Sequence, residues 1–220
     1  MQLFQRKPRT NLSPADALPG RTDRQMMVPE KHLVLGTPMV GPWPEGFEKA
    51  TVAMGCFWGA EKFLWKIPGV YSTYVGYAGG YTPNPTYEEV CSEQTGHAEA
   101  ASVVFDPALV SYEDILKVFW ENHDPTTPNR QGGDIGTQYR SALFVENEAQ
   151  QAVAEASLAR YQSELDKGGF GKISTEIVPA GAFYYAEPYH QQYLHTNPNG
   201  YCNHGFCQVG YPTAKVEATS

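Results

Sequence analysis

The chain has little positive charge and no long apolar run. Its 220 residues include 16 Lys and Arg against 24 Asp and Glu, giving a formal net charge of −8, and no basic cluster suits a phosphate backbone. The longest apolar stretches, such as residues 141–145, are far shorter than a membrane span, and residues 1–7 are not followed by the apolar core of a signal peptide. We therefore expect a cytoplasmic protein that binds neither nucleic acid nor membrane.

Cysteine is also scarce. Cys56, Cys91, Cys202 and Cys207 are too few for a disulfide scaffold in a chain of this length. They form no Cys-x-x-Cys pair, and residues 202–207 do not have the usual spacing of a zinc knuckle. We expect reduced thiols and no bound metal.

The apolar residues are concentrated between two irregular ends, and no internal repeat is present. A hydrophobic content of 41% supports one core. Residues 1–48 are rich in Pro and Gly without periodicity and predict an extended arm, whereas residues 49–196 predict a single catalytic domain. Residues 197–220 begin with Gly, Pro and Asn and predict a mobile tail.

Hydrophobic periodicity and helix caps predict alternating strands and helices in the domain. The predicted strands are residues 51–54, 70–78, 98–105, 139–145 and 173–178. The predicted helices are residues 56–66, two that follow the capping boxes Thr86/Glu89 and Ser111/Asp114, and one from Asn147 to about residues 167–169. This order favours an α+β, ferredoxin-like fold with a mixed sheet, packed helices and long coil ends.

Cys56 lies at a predicted strand-to-helix junction. Unpaired backbone N–H groups and the helix dipole stabilise a thiolate at a helix start, so this position suits a nucleophile. Gly55 and Gly59 leave room for a ligand, and Phe57 and Trp58 suit an apolar group such as a methyl. A small buried core residue is the alternative for an isolated cysteine.

Several strings in this chain resemble the A-type methionine sulfoxide reductase family. The strings are Gly55-Cys56-Phe57-Trp58-Gly59, Val75-Gly76-Tyr77-Ala78-Gly79-Gly80, Pro85-Thr86-Tyr87-Glu88-Glu89-Val90-Cys91, Gly96-His97-Ala98-Glu99, Asp134-Ile135-Gly136-Thr137-Gln138-Tyr139-Arg140-Ser141 and His190-Gln191-Gln192-Tyr193-Leu194. The resemblance implies a monomeric enzyme that reduces methionine S-sulfoxide, free or in proteins. It implies no cofactor, and an external dithiol such as thioredoxin, a glutaredoxin-like protein or a low-molecular-weight thiol system.

A proton donor is needed because a sulfoxide oxygen is a poor leaving group. Glu99 shares its predicted strand face with Ala101, Val103 and Phe105, and apolar surroundings raise the pKa of a carboxyl group. The resemblance assigns the acid role to Glu99.

The resemblance also implies roles for five other residues. It places the phenols of Tyr87 and Tyr139 at the sulfoxide oxygen, where a neutral donor is suitable. It places Asp134 in the lining of the site as a residue that orients donors. Phe57 and Trp58 would hold the methyl group.

The tail supplies the cysteines that would restore Cys56. Cys202 matches the family's recycling cysteine and would convert a Cys56 sulfenic acid to a disulfide, which Cys207 would then carry outward. Many relatives have a longer Gly-rich stretch than the four residues between these cysteines, so Cys207 is alternatively the direct partner of an external thiol. Cys91 is expected to be buried and inert.

Two other function classes fit parts of the sequence. A cysteine hydrolase would activate Cys56 with His97 or His190, but this leaves the tail cysteines unexplained. A redox-sensing or zinc-binding module would use the tail thiols and His204, but this leaves the string around Cys56 unexplained. For the histidines near residues 187–195, the resemblance implies a structural role in a helix.

Overall fold

The computed structural model describes residues 12–23, 26–202, 204 and 209–212, and these ranges form a mixed α+β fold. The strands are β1 (Glu48–Met54), β2 (Val70–Ala78), β3 (Ala98–Phe105), β4 (Arg130–Gln131), β5 (Asp134–Ile135), β6 (Ser141–Val145), β7 (Glu176–Pro179) and β8 (Phe183–Tyr185). The helices are α1 (Phe57–Leu64), α2 (Tyr87–Cys91), α3 (Tyr112–Glu121), α4 (Glu148–Lys167) and α5 (Tyr193–Thr196), with single 3-10 turns at Thr137–Tyr139 and Pro188–His190.

Six strands form one sheet in the order β7-β6-β1-β3-β2-β8. β1 lies antiparallel to both β3 and β6, and β2 lies antiparallel to β3 and β8, whereas β6 and β7 are parallel. β4 and β5 form a separate hairpin. The mixed α+β prediction is therefore confirmed.

The helices bury the apolar face of the sheet. α1 packs on β2 and β3, and α3 packs on β1 and α4. The core between them contains Leu64, Phe105, Ile115 and Trp120, all fully buried. Both predicted capping boxes are present. The side chains of Thr86 and Ser111 accept from the backbone N–H three residues later, and the carboxylates of Glu89 and Asp114 accept from the backbone N–H of Thr86 and Ser111.

Some predicted element bounds are wrong at the edge of the sheet. The predicted last strand, residues 173–178, is observed as β7 at Glu176–Pro179, and β8 follows it. β8 was not predicted, because three residues are too short to show a periodic pattern. Pairing of residues 183–185 with β2 makes this segment a strand.

The predicted helix over residues 187–195 is interrupted at Gln191 and Gln192. The backbone of Gln192 is left-handed, with φ of +48°. The Gln191 side chain bonds to the backbone N–H and carbonyl of Val75, and Gln192 donates both its backbone and side-chain N–H groups to Glu61. The helix is interrupted because these bonds satisfy the buried polar groups of Val75 and Glu61, which a continuous helix would leave without these partners.

The described part of the arm lies against the domain. His32 is buried, and its Nε2 hydrogen-bonds Thr73 Oγ1 on β2 at 2.8 Å. Arg21 pairs with Glu89 at 2.6 Å, and Met39 is fully buried. Within the described ranges, no helix combines the length and apolar character needed to cross a membrane.

Candidate active site

Cys56 lies where β1 gives way to α1, as the sequence predicted. It is the N-cap residue of α1 and only 6% exposed. Gly55 makes the sharp turn with φ of +91°, and a Cβ there would come within 2.6 Å of the Gln131 side chain. Glycine is required at residue 55 for both reasons.

A cavity of about 110 Å³ opens at the Cys56 side chain. It brings together seven residues that the sequence analysis selected, and one that it missed, Tyr201. The lining residues are Cys56, Phe57, Trp58, Tyr87, Glu99, Asp134, Tyr139 and Tyr201. They come from the start of α1 and the residue before it, α2, β3, β5, a 3-10 turn and the tail, so the tertiary fold gathers residues that are far apart in the chain.

Glu99 is the buried carboxyl group of this cavity. It is 2% exposed and accepts a hydrogen bond from the Phe57 N–H at 3.0 Å. Burial raises the pKa of Glu99 to about 8, the Phe57 bond opposes this rise, and the negative charge of Asp134 adds to it. The direction agrees with the expectation from the strand face, and the carboxyl group is mostly protonated near pH 7.

The expectation of a stabilised thiolate at Cys56 is wrong. Burial raises the pKa of Cys56 well above its ordinary value, and the charges of Glu99, Asp134 and Cys202 raise it further. The Trp58 backbone N–H lowers it, but the start of a short helix does not offset desolvation. Cys56 is therefore a thiol near neutral pH.

Tyr87 and Tyr139 present neutral phenols to the cavity. Burial raises the pKa of both, and the Glu99 charge adds to the rise. Tyr87 also hydrogen-bonds Cys91, which is half-buried rather than buried as expected. Burial raises the pKa of Cys91 to about 11, so it too is a thiol near neutral pH.

Trp58 is held by the segment before the tail. Its indole Nε1 donates to His190 Nδ1 at 3.0 Å, and its ring stacks on Tyr193 with centroids 3.9 Å apart. The His190 proton must then be on Nε2, which lies 3.8 Å from Glu187. These supporting contacts were not predicted, because the resemblance implied only a structural helix for this segment.

The tail reaches the same cavity. Tyr201 donates its hydroxyl to Asp134 Oδ1 at 2.8 Å, and the next residue, Cys202, is exposed. Cys202 is near enough that its charge raises the pKa of Cys56. Cys207, the second tail cysteine of the expected redox cycle, lies outside the described residues.

The histidines of the hydrolase alternative have other partners. The ring nitrogens of His97 bond to the Gly80 N–H and the Thr82 carbonyl, and His190 Nδ1 accepts from Trp58. Neither residue lines the cavity. Across the part of the chain that the structure describes, no group of three or more His, Cys, Asp or Glu side chains is placed to hold a metal ion.

Comparison with known proteins gives a consistent result. The family described as peptide methionine sulfoxide reductase matches residues 48–216. The Synechocystis protein peptide methionine sulfoxide reductase MsrA 1 is 58% identical over 201 residues, covering 91% of this chain and 90% of that protein.

Two solved structures extend the comparison to the fold. Methionine sulfoxide reductase A of Corynebacterium diphtheriae is 44% identical with a TM-score of 0.80, covering 92% of this chain and 99% of that one. Reduced Mxr1 from Saccharomyces cerevisiae is 36% identical with a TM-score of 0.67, covering 77% and 96%. The chain therefore belongs to the peptide methionine sulfoxide reductase family.

Proposed function

We propose that this chain reduces methionine S-sulfoxide, free or in proteins, with Cys56 as the nucleophile and Glu99 as the acid. Family membership makes the chain an oxidoreductase that reduces methionine sulfoxide. The observation that carries the residue roles is the shared cavity, in which the Cys56 thiol and a protonated carboxyl group lie beside two aromatic rings. A cavity of this kind accepts a small apolar group with one polar oxygen.

The first step transfers the sulfoxide oxygen to Cys56. The Cys56 sulfur loses its proton and attacks the substrate sulfur while Glu99 protonates the oxygen. The attack forms an S–S bond between Cys56 and the substrate, with a hydroxyl group on the substrate sulfur. This S–S bond and the S–O bond then break as the hydroxyl group passes to the Cys56 sulfur, so that methionine leaves and Cys56 becomes a sulfenic acid. One proton goes to solvent and later returns to Glu99.

Three polar side chains support the oxygen in this step. Tyr87 and Tyr139, with their raised pKa values, donate as neutral phenols. Asp134 accepts the Tyr201 hydroxyl and so orients the donors around the oxygen. The methyl group of the substrate contacts Phe57 and Trp58.

The second step forms a disulfide between Cys56 and Cys202. The exposed tail position of Cys202 and its electrostatic effect on Cys56 support this assignment over Cys91. Cys207 would then take over the disulfide from Cys202, or react directly with an external thiol. Thioredoxin, a glutaredoxin-like protein or a low-molecular-weight thiol would supply the electrons, without a bound cofactor. This cycle suits a monomer in a reducing compartment such as the cytoplasm.

Thiol counting without any reductant tests both steps. With one equivalent of methionine sulfoxide per chain, we expect the wild-type chain to lose two thiols for each methionine that it releases. The Cys202→Ser variant should release one methionine per chain and lose one thiol, with Cys56 labelled by dimedone as a sulfenic acid. Loss of two thiols by this variant would transfer the resolving role to Cys207.

Substrate preference tests the support of Trp58. His190→Phe keeps a ring but removes the acceptor of the partly buried indole N–H, and an unsatisfied donor costs ~1–3 kcal/mol when it is fully buried. We expect kcat/KM for methionine sulfoxide to fall about tenfold, with a weaker preference for methyl over ethyl sulfoxide. His190→Gln keeps an acceptor and should restore the preference, as measured by steady-state kinetics with both substrates. An unchanged preference in His190→Phe would contradict this role.

We also propose a ferredoxin-like core within the predicted domain of residues 49–196. The order β6-β1-β3-β2 with all neighbours antiparallel, and the connecting helices α1 and α3, support this assignment. The bond from His32 to β2 supports residues 1–48 as an arm on that domain, and the exposure of residues 197–199, 201 and 202 supports a mobile tail that begins at residue 197.

A further inference from the structure

The His204 ring lies directly against the start of α1. A Cβ at Gly59 would overlap the imidazole at Nδ1, so the ring fills the space that a side chain at residue 59 would need. The ring also meets Phe63 edge-on, with centroids 6.0 Å apart. The second glycine of the string around Cys56 is therefore a seat for a tail residue, and not only room for a ligand.

One hydrogen bond fixes the ring in this seat. His204 Nε2 donates to the Met54 carbonyl oxygen at 2.7 Å, two residues before Cys56 in the chain. Burial lowers the pKa of His204, so the ring is neutral near pH 7 and its proton is on Nε2. Among the residues that the structure describes, the buried Nδ1 has no hydrogen-bond partner.

One described residue before Cys202 and one after it are hydrogen-bonded to the region around Cys56. Tyr201 hydrogen-bonds Asp134, and His204 hydrogen-bonds Met54. Residues 197–199, just before these anchors, are exposed, and residues 197–200 consist of Asn, Pro and Gly, a composition that favours many conformations. Two anchors around one thiol reduce the conformational freedom that must be lost when it meets Cys56.

We propose that His204 is a positioning residue that docks the tail on α1 and so brings Cys202 to Cys56. This inference rests on the proposed roles of Cys56 and Cys202. In the step concerned, Cys202 loses its thiol proton and attacks the sulfur of the Cys56 sulfenic acid. The S–S bond forms as the S–O bond breaks, and the hydroxyl group leaves with the proton as water.

A single turnover separates this step from oxygen transfer. His204→Ala should release methionine at the wild-type rate but form the disulfide at least tenfold more slowly, so that dimedone-reactive Cys56 accumulates. His204→Gln keeps an N–H donor for the Met54 carbonyl and should recover much of the rate. His195→Ala, at an exposed histidine in α5 just before the tail, is the matched control and should behave as wild type. Rapid quenching followed by mass spectrometry measures both products.

A variant at Gly59 tests the same contact by changing α1 instead of the His204 ring. Gly59→Ala keeps His204 but places a methyl group against its ring, so it should also slow disulfide formation. Because both changes break one contact, the Gly59→Ala/His204→Ala double variant should form the disulfide no more slowly than His204→Ala. Fully additive slowing in the double variant would contradict a shared seat.

Failure of the inference differs from failure of the proposed function. If the wild-type chain releases methionine and His204→Ala forms the disulfide just as fast, His204 has no positioning role and the inference is overturned. If the wild-type chain releases no methionine, the proposed function itself is wrong. Thermal melting of each variant shows whether slower disulfide formation reflects loss of the fold.

Discussion

Glu99→Gln should slow methionine release in a single turnover by about 10²- to 10⁴-fold, the usual contribution of a positioned general acid. Gln keeps the size of the side chain and an oxygen for the Phe57 N–H, but it has no proton to give to the sulfoxide oxygen. The measurement is methionine formed by excess enzyme after rapid quenching. A rate within threefold of wild type would exclude Glu99 as the acid.

The same variant should make the Cys56 thiol more reactive, although it slows methionine release. The Glu99 charge raises the pKa of Cys56, and with a pKa of about 8 most of Glu99 is ionised at pH 9. At pH 9, Glu99→Gln should therefore react several-fold faster with iodoacetamide at Cys56 than wild type does. Cys202 in the same sample serves as the internal reference by mass spectrometry. A fall in both rates would indicate damage to the site rather than loss of an acid.

Cys56→Ser should release no methionine above background. A hydroxyl group is a far weaker nucleophile than a thiol and does not accept the sulfoxide oxygen. The assay is methionine released per chain in the absence of reductant. Cys202→Ser is the matched control, because it alters a redox cysteine but should still release one methionine. Methionine formation by Cys56→Ser would refute the proposed nucleophile.

Local sequence signals were sufficient for much of the fold. β2 and β3 were predicted with their observed bounds, because long alternating or apolar runs are strong strand signals. The caps at Thr86, Ser111 and Asn147 were predicted because the capping residue and its backbone partner are neighbours in the chain. β8 and the break at Gln191 could not be predicted, since both depend on partners more than a hundred residues away.

The active site, like the fold, could be predicted from the sequence only in part. The sequence correctly predicted that Cys56 lies at the start of a helix. From that position alone, a thiolate was expected. The folded protein instead raises the pKa of Cys56, because it buries the sulfur beside Glu99 and Asp134. The alternation along β3 correctly indicated an apolar setting for Glu99, whereas its hydrogen bond to Phe57 required β3 and α1 to be packed together.

The sequence by itself determined the bounds of β2 and β3, the helix caps at Thr86, Ser111 and Asn147, the candidate nucleophile at Cys56, and the family resemblance carried by several short strings. Each of these depends on residues close together in the chain. Only the tertiary structure decided the protonation of Cys56, the support of Trp58 by His190, and the seating of His204 on Gly59. Those properties arise from desolvation and from contacts between distant segments, and neither can be read from local sequence.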